Sequence, residues 1–160
     1  MKKDLLIIFG LVALVVALLF IGSLAKIFPK SSMSAGKTQI KIGSLKVSAE
    51  VAQNSAQRAN GLSGRTSLAK DEGMLFVFDR PDRYAFWMKD MVIPLDFIWI
   101  AQDKTVADIT QNAQPEPGKP QSQLRIYRPA VPVLYILEVK AGLTSEKNIR
   151  IGEEAEFNLP

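Results

Sequence analysis

Leu45, Val47, Ala49 and Val51 alternate with Lys46, Ser48 and Glu50. That period of two predicts a strand with one face buried. Asn54 and Gln57 then stand at capping-box spacing, which predicts a short helix running to Gly61. Gly61 to Gly64 reads as a tight connection, and Thr66 to Lys70 as one further helical turn. Gly73 to Phe78, GMLFVF, is a continuous apolar run of strand length, and Asp79-Arg80-Pro81-Asp82 has the composition of a turn. Tyr84 to Met88 and Leu95 to Ala101 read as aromatic-rich strands. Gln102 to Lys104 would turn the second of these into a strand over Thr105 to Thr110. Gln114 to Gln123, with Pro115, Pro117, Gly118 and Pro120, is a long loop. Val133 to Lys140 predicts another strand, Thr144 to Asn148 a short helix, and Glu154 to Phe157 a last strand. Many short strands, little helix and no β-α-β rhythm predict a mainly β fold. A compact β-sandwich or barrel-like domain with one or two short helices is expected.

The N-terminal pattern is of another kind. Leu5 to Ala25 is 21 residues without a charge. As a helix rising ~1.5 Å per residue it would cover about 30 Å, the thickness of a bilayer's hydrocarbon core. It has no polar face of the sort a buried helix of a globular domain carries. A single transmembrane helix is therefore expected before the β domain. Ser23-Leu24-Ala25 is a small-x-small triplet that would permit cleavage after Ala25. The apolar run is nevertheless longer than the ~7–15 residues of a cleaved signal, so an uncleaved anchor is expected, with cleavage and export as the alternative. Lys2 and Lys3 favour a cytoplasmic N-terminus, while Lys26, Lys30 and Lys37 oppose it. A lone N-terminal apolar segment usually acts as an export signal, which places the domain outside the cytoplasm. Phe28 to Gly36, FPKSSMSAG, has the small and polar composition of a flexible tether. The expected organisation is a signal anchor over 1–26, a tether over 27–37 and one mainly β domain over 38–160.

Charge sharpens this picture. The 160 residues hold 20 Lys+Arg and 16 Asp+Glu, a net charge of +4 and a pI near 9.4. Up to Lys37 there are five lysines and one aspartate, so the rest of the chain carries 15 basic and 15 acidic residues. The excess charge flanks the membrane segment, and the neutral domain offers no surplus of cations for phosphates; no nucleic-acid partner is expected. There is no Cys and no His. This excludes disulfides, thiol nucleophiles, Ser-His-Asp machinery and zinc sites built on His or Cys. No metal or cofactor is called for.

Candidate chemistry rests on polar residues in apolar surroundings. Leu95, Phe97, Trp99 and Ala101 share one face of their strand, and Asp96, Ile98 and Ile100 the other. Asp96 is thus expected at or near the core. Glu138 shares a face with Leu134 and Ile136. Carboxylates so placed must be paired, hydrogen-bonded or protonated. They form an acid/base pair in one reading, and are neutralised by Arg58, Arg65, Lys89 or Arg128 in the other. Arg58 and Arg65 bracket the glycine-rich turn and would reach a bound anion, or clamp the loop. Tyr84, Phe86, Trp87, Trp99 and Tyr127 form either a binding platform or core. Met88 and Met91 read as core.

Gly61-Leu62, Arg65, GMLFVF, FWMKDM, IPLDFIWI, Leu137-Glu138-Val139 and Ala141-Gly142 resemble the domain-of-unknown-function 192 family, in order and spacing, from about Lys41 to Phe157. The resemblance implies a compact, mainly β domain, frequently behind an export signal or single membrane span, and supplies no activity. Its motif positions correspond here to Arg58, Gly61, Arg65, Trp87, Lys89, Asp96 and Glu138. Ser63 stands where the family often has Met, and Asp90-Met91 where it often has Asn-Thr. If that turn lines a pocket, the added acid beside Lys89 alters the ligand preference.

The leading expectation is a membrane-tethered extracytoplasmic domain that binds a small molecule, glycan or envelope partner. Arg58, Arg65, Lys89 and Asp96 would supply the polar groups and Trp87 the wall. The alternatives are a carboxylate-dependent hydrolase acting on envelope material through Asp96 and Glu138, and a structural or interaction module.

Overall fold

The computed structural model describes residues 36–160. The apolar segment over 5–25 and nearly all of the expected tether lie outside the described residues. No helix among those described is long and apolar enough to cross a membrane.

Among the described residues, seven strands and two short helices follow in the order β1 (Lys37–Ile42), β2 (Leu45–Ala52), α1 (Ser55–Asn60), β3 (Glu72–Asp82), β4 (Leu95–Ile100), β5 (Val106–Ala113), β6 (Val133–Lys140), α2 (Leu143–Glu146) and β7 (Ala155–Glu156). A single 3-10 turn, Gln121–Gln123, interrupts the long loop before β6. The strands form one sheet in the order β5-β4-β6-β3-β2-β1-β7. The sheet curls until its two ends meet. Thr105 bridges Glu154, and the Val106 and Ala155 amides donate to Glu153 and Lys104 carbonyls, each at 2.8 Å. Joining the ends satisfies backbone groups that an open edge would leave exposed.

Several elements differ from the sequence expectation. β1 begins at Lys37, inside the stretch expected as tether, because Thr38, Ile40 and Ile42 bury alternate side chains. β2 and β3 pair in parallel, with α1 in the connection between them, so one β-α-β unit is present where none was expected. Residues 79–82 do not turn but extend β3, past a register shift between Val77 and Asp82. Tyr84 to Met88 is no strand; its one ladder contact is the bridge between Phe86 and Tyr127. Thr66 to Lys70 has no helical turn.

The sheet has apolar side chains on both faces. One cluster draws Ile40, Ile42, Val47, Ala49, Leu75, Ile98, Ile100, Val106, Leu137 and Ala155 from all seven strands, and so fills the inside of the curl. The second lies on the outer face of β3, β4 and β6, where Met74, Phe76, Phe97, Trp99 and Ile136 are covered by Leu62, Met88 and Met91. β4 is buried at every position because it supplies both clusters, as its two apolar faces predict. The outer cluster is incompletely covered, and there the candidate site opens.

Candidate functional site

Glu138 lies on the outer face of β6, level with Met74 of β3 on one side and Phe97 of β4 on the other. It is 6% exposed, and burial alone pushes its carboxyl up to about 8. Arg and Lys side chains make no ion pair with it among the described residues. An uncompensated carboxylate between a methionine and a phenylalanine would be strongly desolvated, so the group holds its proton at neutral pH.

Above this carboxyl is a pocket of about 300 Å³, lined by Arg58 to Ser63, Phe76, Phe78, Tyr84 to Trp87, Lys89 to Met91 and Glu138. Its volume is at the lower end of the ~300–1,000 Å³ range of small-ligand sites. Three pieces of chain build its rim, and each is fixed locally. α1 starts with the capping box foreseen from the sequence. Gln57 N–H donates to Asn54 Oδ1 at 2.9 Å, and Asn54 N–H donates to Gln57 Oε1 at 3.2 Å. Two of the helix's orphan donors are satisfied in this way. No residue of α1 is buried, so the cap and Arg58 hold it. Arg58 Nη1 donates to the Gln53 and Val77 carbonyls at 2.6 and 2.9 Å. Its guanidinium also lies 5.1 Å from the Phe78 ring centre.

Gly61 ends α1 at φ 49°, ψ −136°, a conformation essentially restricted to glycine. A Cβ there would also meet Phe76 Cζ at 3.3 Å. The 61–64 turn is then tied to the 88–91 turn. Ser63 Oγ donates to the Lys89 carbonyl at 3.2 Å, and Gly64 N–H donates to the Asp90 carbonyl at 2.9 Å. Asp90 adopts φ 55°, the left-handed region that Asp tolerates better than most residues. Its carboxylate accepts from Lys89 Nζ.

The remaining wall is aromatic. Phe78 and Tyr84 stack with centres 3.5 Å apart. Phe86 meets Phe76 and Trp99 edge to face, at 5.0 and 5.7 Å. Trp87 is 39% exposed and makes no ring–ring contact among the described residues. The indole is therefore partly open to solvent at the pocket wall. Met88 and Met91 are buried as core.

Of the residues singled out in the sequence, the pocket gathers Arg58, Gly61, Tyr84, Phe86, Trp87, Lys89, Met91 and Glu138. It does not gather Arg65 or Asp96. Arg65 Nη2 is ion-paired with Glu50 Oε2 at 2.6 Å, which ties its loop to β2. Asp96 stands opposite Val139 and points to the other face of the sheet from Glu138. It is fully buried. Its Oδ1 accepts from Asn112 N–H at 2.8 Å, and its Oδ2 accepts from Thr144 N–H at 3.0 Å and Thr144 Oγ1 at 2.6 Å. Asp96 thus fastens β5 and the start of α2 to β4. The expected acid/base pair of Asp96 and Glu138 is absent, because neighbouring positions on paired strands face opposite ways. Among the described residues neither is neutralised by Arg or Lys: backbone and hydroxyl donors serve Asp96, and protonation serves Glu138.

Sequence reasoning missed Phe76 and Phe78 as wall residues. The signal was available, since Met74, Phe76 and Phe78 alternate along GMLFVF and face the same way as Glu138 once β3 and β6 pair. The 89–90 turn lines the pocket, which makes the acid at Asp90 a feature of the site.

Residues 38–157 match the family model DUF192 (Uncharacterized ACR), about three-quarters of the chain. The chain belongs to the DUF192 family. Solved structures similar to it include two proteins of known source. One is a protein from Sinorhizobium meliloti 1021 described as a candidate transcription regulator. It is 30% identical with a TM-score of 0.71, the match covering 79% of this chain and 98% of that one. The other is a protein of unknown function from Novosphingobium aromaticivorans DSM 12444. It is 34% identical with a TM-score of 0.66, covering 80% and 89%. No curated protein matches the chain. The stretches FWMKDM and GMLFVF, which carry the resemblance in the sequence, lie in the wall and rim of the pocket, and IPLDFIWI includes the strand beneath the outer cluster.

Proposed function

We propose that this DUF192 protein is a membrane-anchored, extracytoplasmic domain that binds a small ligand in the pocket over Glu138. The observation that carries the binding reading is the pocket itself. It brings a buried, unpaired carboxyl, a half-exposed tryptophan and two cationic side chains to one opening, although they come from three separate stretches of chain. A concave, mostly apolar site with a few convergent polar groups and one strongly perturbed acid is what small-ligand recognition requires. A purely structural module has no need of such a group, because a buried unpaired acid lowers stability. The membrane reading is supported by the 21 uncharged residues of Leu5 to Ala25 and their lysine flanks. The balanced charge of the remaining chain supports a partner other than nucleic acid, whatever the Sinorhizobium relative binds.

Fragment screening by NMR on the full-length chain in detergent tests the binding reading. Amide shifts concentrated at Arg58, Gly61, Trp87 and Lys89 are expected. Fragments that bind elsewhere and leave this set unmoved would overturn it. Protease added to intact and to opened cells tests the location. Cleavage of the domain without access to the cytoplasm is expected, and a domain released with cytosolic contents would contradict it.

A further inference from the structure

We propose that the ligand of this pocket is an organic ammonium ion, whose charge completes an ion pair with Glu138 while its carbon skeleton packs on Phe86 and Trp87. The inference rests on reading the pocket as a ligand site and adds the class of ligand. Arg58, Lys89 and Asp90 are each already engaged by the protein. Arg58 donates to two carbonyls and lies over Phe78, and Lys89 is paired with Asp90. The Tyr84 hydroxyl donates to the Arg80 carbonyl at 2.6 Å. Arg58 has carbonyl acceptors but no carboxylate partner among the described residues, whereas Glu138 has there neither an ion pair nor a hydrogen bond. Asp96, equally deep on the other face, receives three donors. The contrast marks Glu138 as half of an ion pair whose other half comes from outside.

The aromatic walls favour the same ligand. Phe78 has Tyr84 stacked upon it and Arg58 over its ring, so it is already occupied. Trp87 is open, and an indole face is the best of the aromatic surfaces for a cation. A primary ammonium would donate to Glu138 and lie against Trp87 at once. The pair would form away from water, where it is stronger than at the surface.

This ligand class carries a pH signature. An ammonium needs Glu138 ionised, and the proton that burial retains must leave to solvent on binding. An alkylammonium stays charged through pH 6–8. With a midpoint of about 8 for Glu138, the ionised fraction, and with it the apparent affinity, rises roughly 50-fold between pH 6 and pH 8. Desolvation, with Asp82 adding to it, raises the Tyr84 phenol above 10, so it stays protonated through the same interval. Arg58, Lys89 and Asp90 also face the pocket and are retained in a Glu138→Gln variant, which isolates the Glu138 contribution.

The test compares benzylamine, benzyl alcohol and benzoate on the full-length chain in detergent, by calorimetry from pH 6 to pH 8. Benzylamine is expected to bind, with affinity rising roughly 50-fold over that range and lost in Glu138→Gln. Its shifts should centre on Trp87. Should that variant not fold, the pH dependence of the unaltered protein decides. Benzyl alcohol or benzoate binding as well as benzylamine, with affinity falling as pH rises, would overturn the ammonium and leave the pocket reading standing. No pocket shifts from any of the three or from the wider fragment set would remove both.

Discussion

Glu138→Gln should make the protein more stable at neutral and alkaline pH, and the size of the gain can be worked from the burial of the carboxyl. In the unfolded chain the group ionises near its ordinary value of 4.5, and in the folded domain near 8. The folded-state value is the higher one, so its contribution to stability is fully present below 4.5. It is lost as pH rises toward 8, since over that interval unfolding releases a proton to solvent. Each pH unit is worth about 1.4 kcal/mol. Between pH 5 and pH 8 the unaltered protein should lose about 4 kcal/mol relative to the glutamine variant, which has no proton to release. Above pH 8 both states are ionised and the gap should level off. Urea unfolding of both proteins at half-unit steps from pH 4.5 to 9 reads this difference directly, and subtracting the two curves removes every other titrating group. A gap that stays constant across the range would refute the reasoning, because it would mean that Glu138 is already ionised in the folded domain. A gap that opens in the opposite direction would mean that a cation reaches it.

The other residues lead to separate expectations. Asp96→Asn should cost roughly 2–4 kcal/mol in urea unfolding, because an amide presents its NH₂ to donors that now meet a carboxylate; a loss below about 0.5 kcal/mol would show that those three bonds hold nothing together. Gly61→Ala should cost about 1–3 kcal/mol by thermal unfolding, from the positive φ and the contact with Phe76. An alanine variant of unchanged stability would contradict the turn geometry. Asn54→Ala should remove about 1 kcal/mol through the lost cap. It should also broaden the amide signals of α1, which has no buried side chain to hold it; sharp, unshifted signals would count against the cap as its anchor.

Much of the fold was legible in local pattern. Val133 to Lys140 and Leu95 to Ile100 are strands because apolar residues on both faces demand cover on both sides, and Asn54 with Gln57 wrote the start of α1 into four residues. What local pattern cannot show is which strands become neighbours. The parallel pairing of β2 with β3 depends on a crossover through α1, a helix too short and too exposed to have an amphipathic signature. The strand expected over Tyr84 to Met88 has the right residues and the wrong partners. Its aromatics are claimed by the outer cluster, and Phe86 alone retains a ladder contact. The same limit divides the two carboxylates. Periodicity identified Asp96 and Glu138 as buried, but their opposite faces followed only from the register that sets Asp96 against Val139 and Phe97 against Glu138. Arg65 was drawn toward the site by its place beside the glycine turn, and Glu50 on β2 took it instead.

The account turns on Glu138 being an unpaired, protonated acid that faces a pocket. The most direct measurement is its side-chain carboxyl carbon, followed by NMR from pH 4 to pH 10 in ¹³C-labelled protein and assigned by its absence from Glu138→Gln. The account predicts a midpoint of about 8 in the free protein, moving down when benzylamine is added. A midpoint near 4.5 that the amine leaves in place would contradict it.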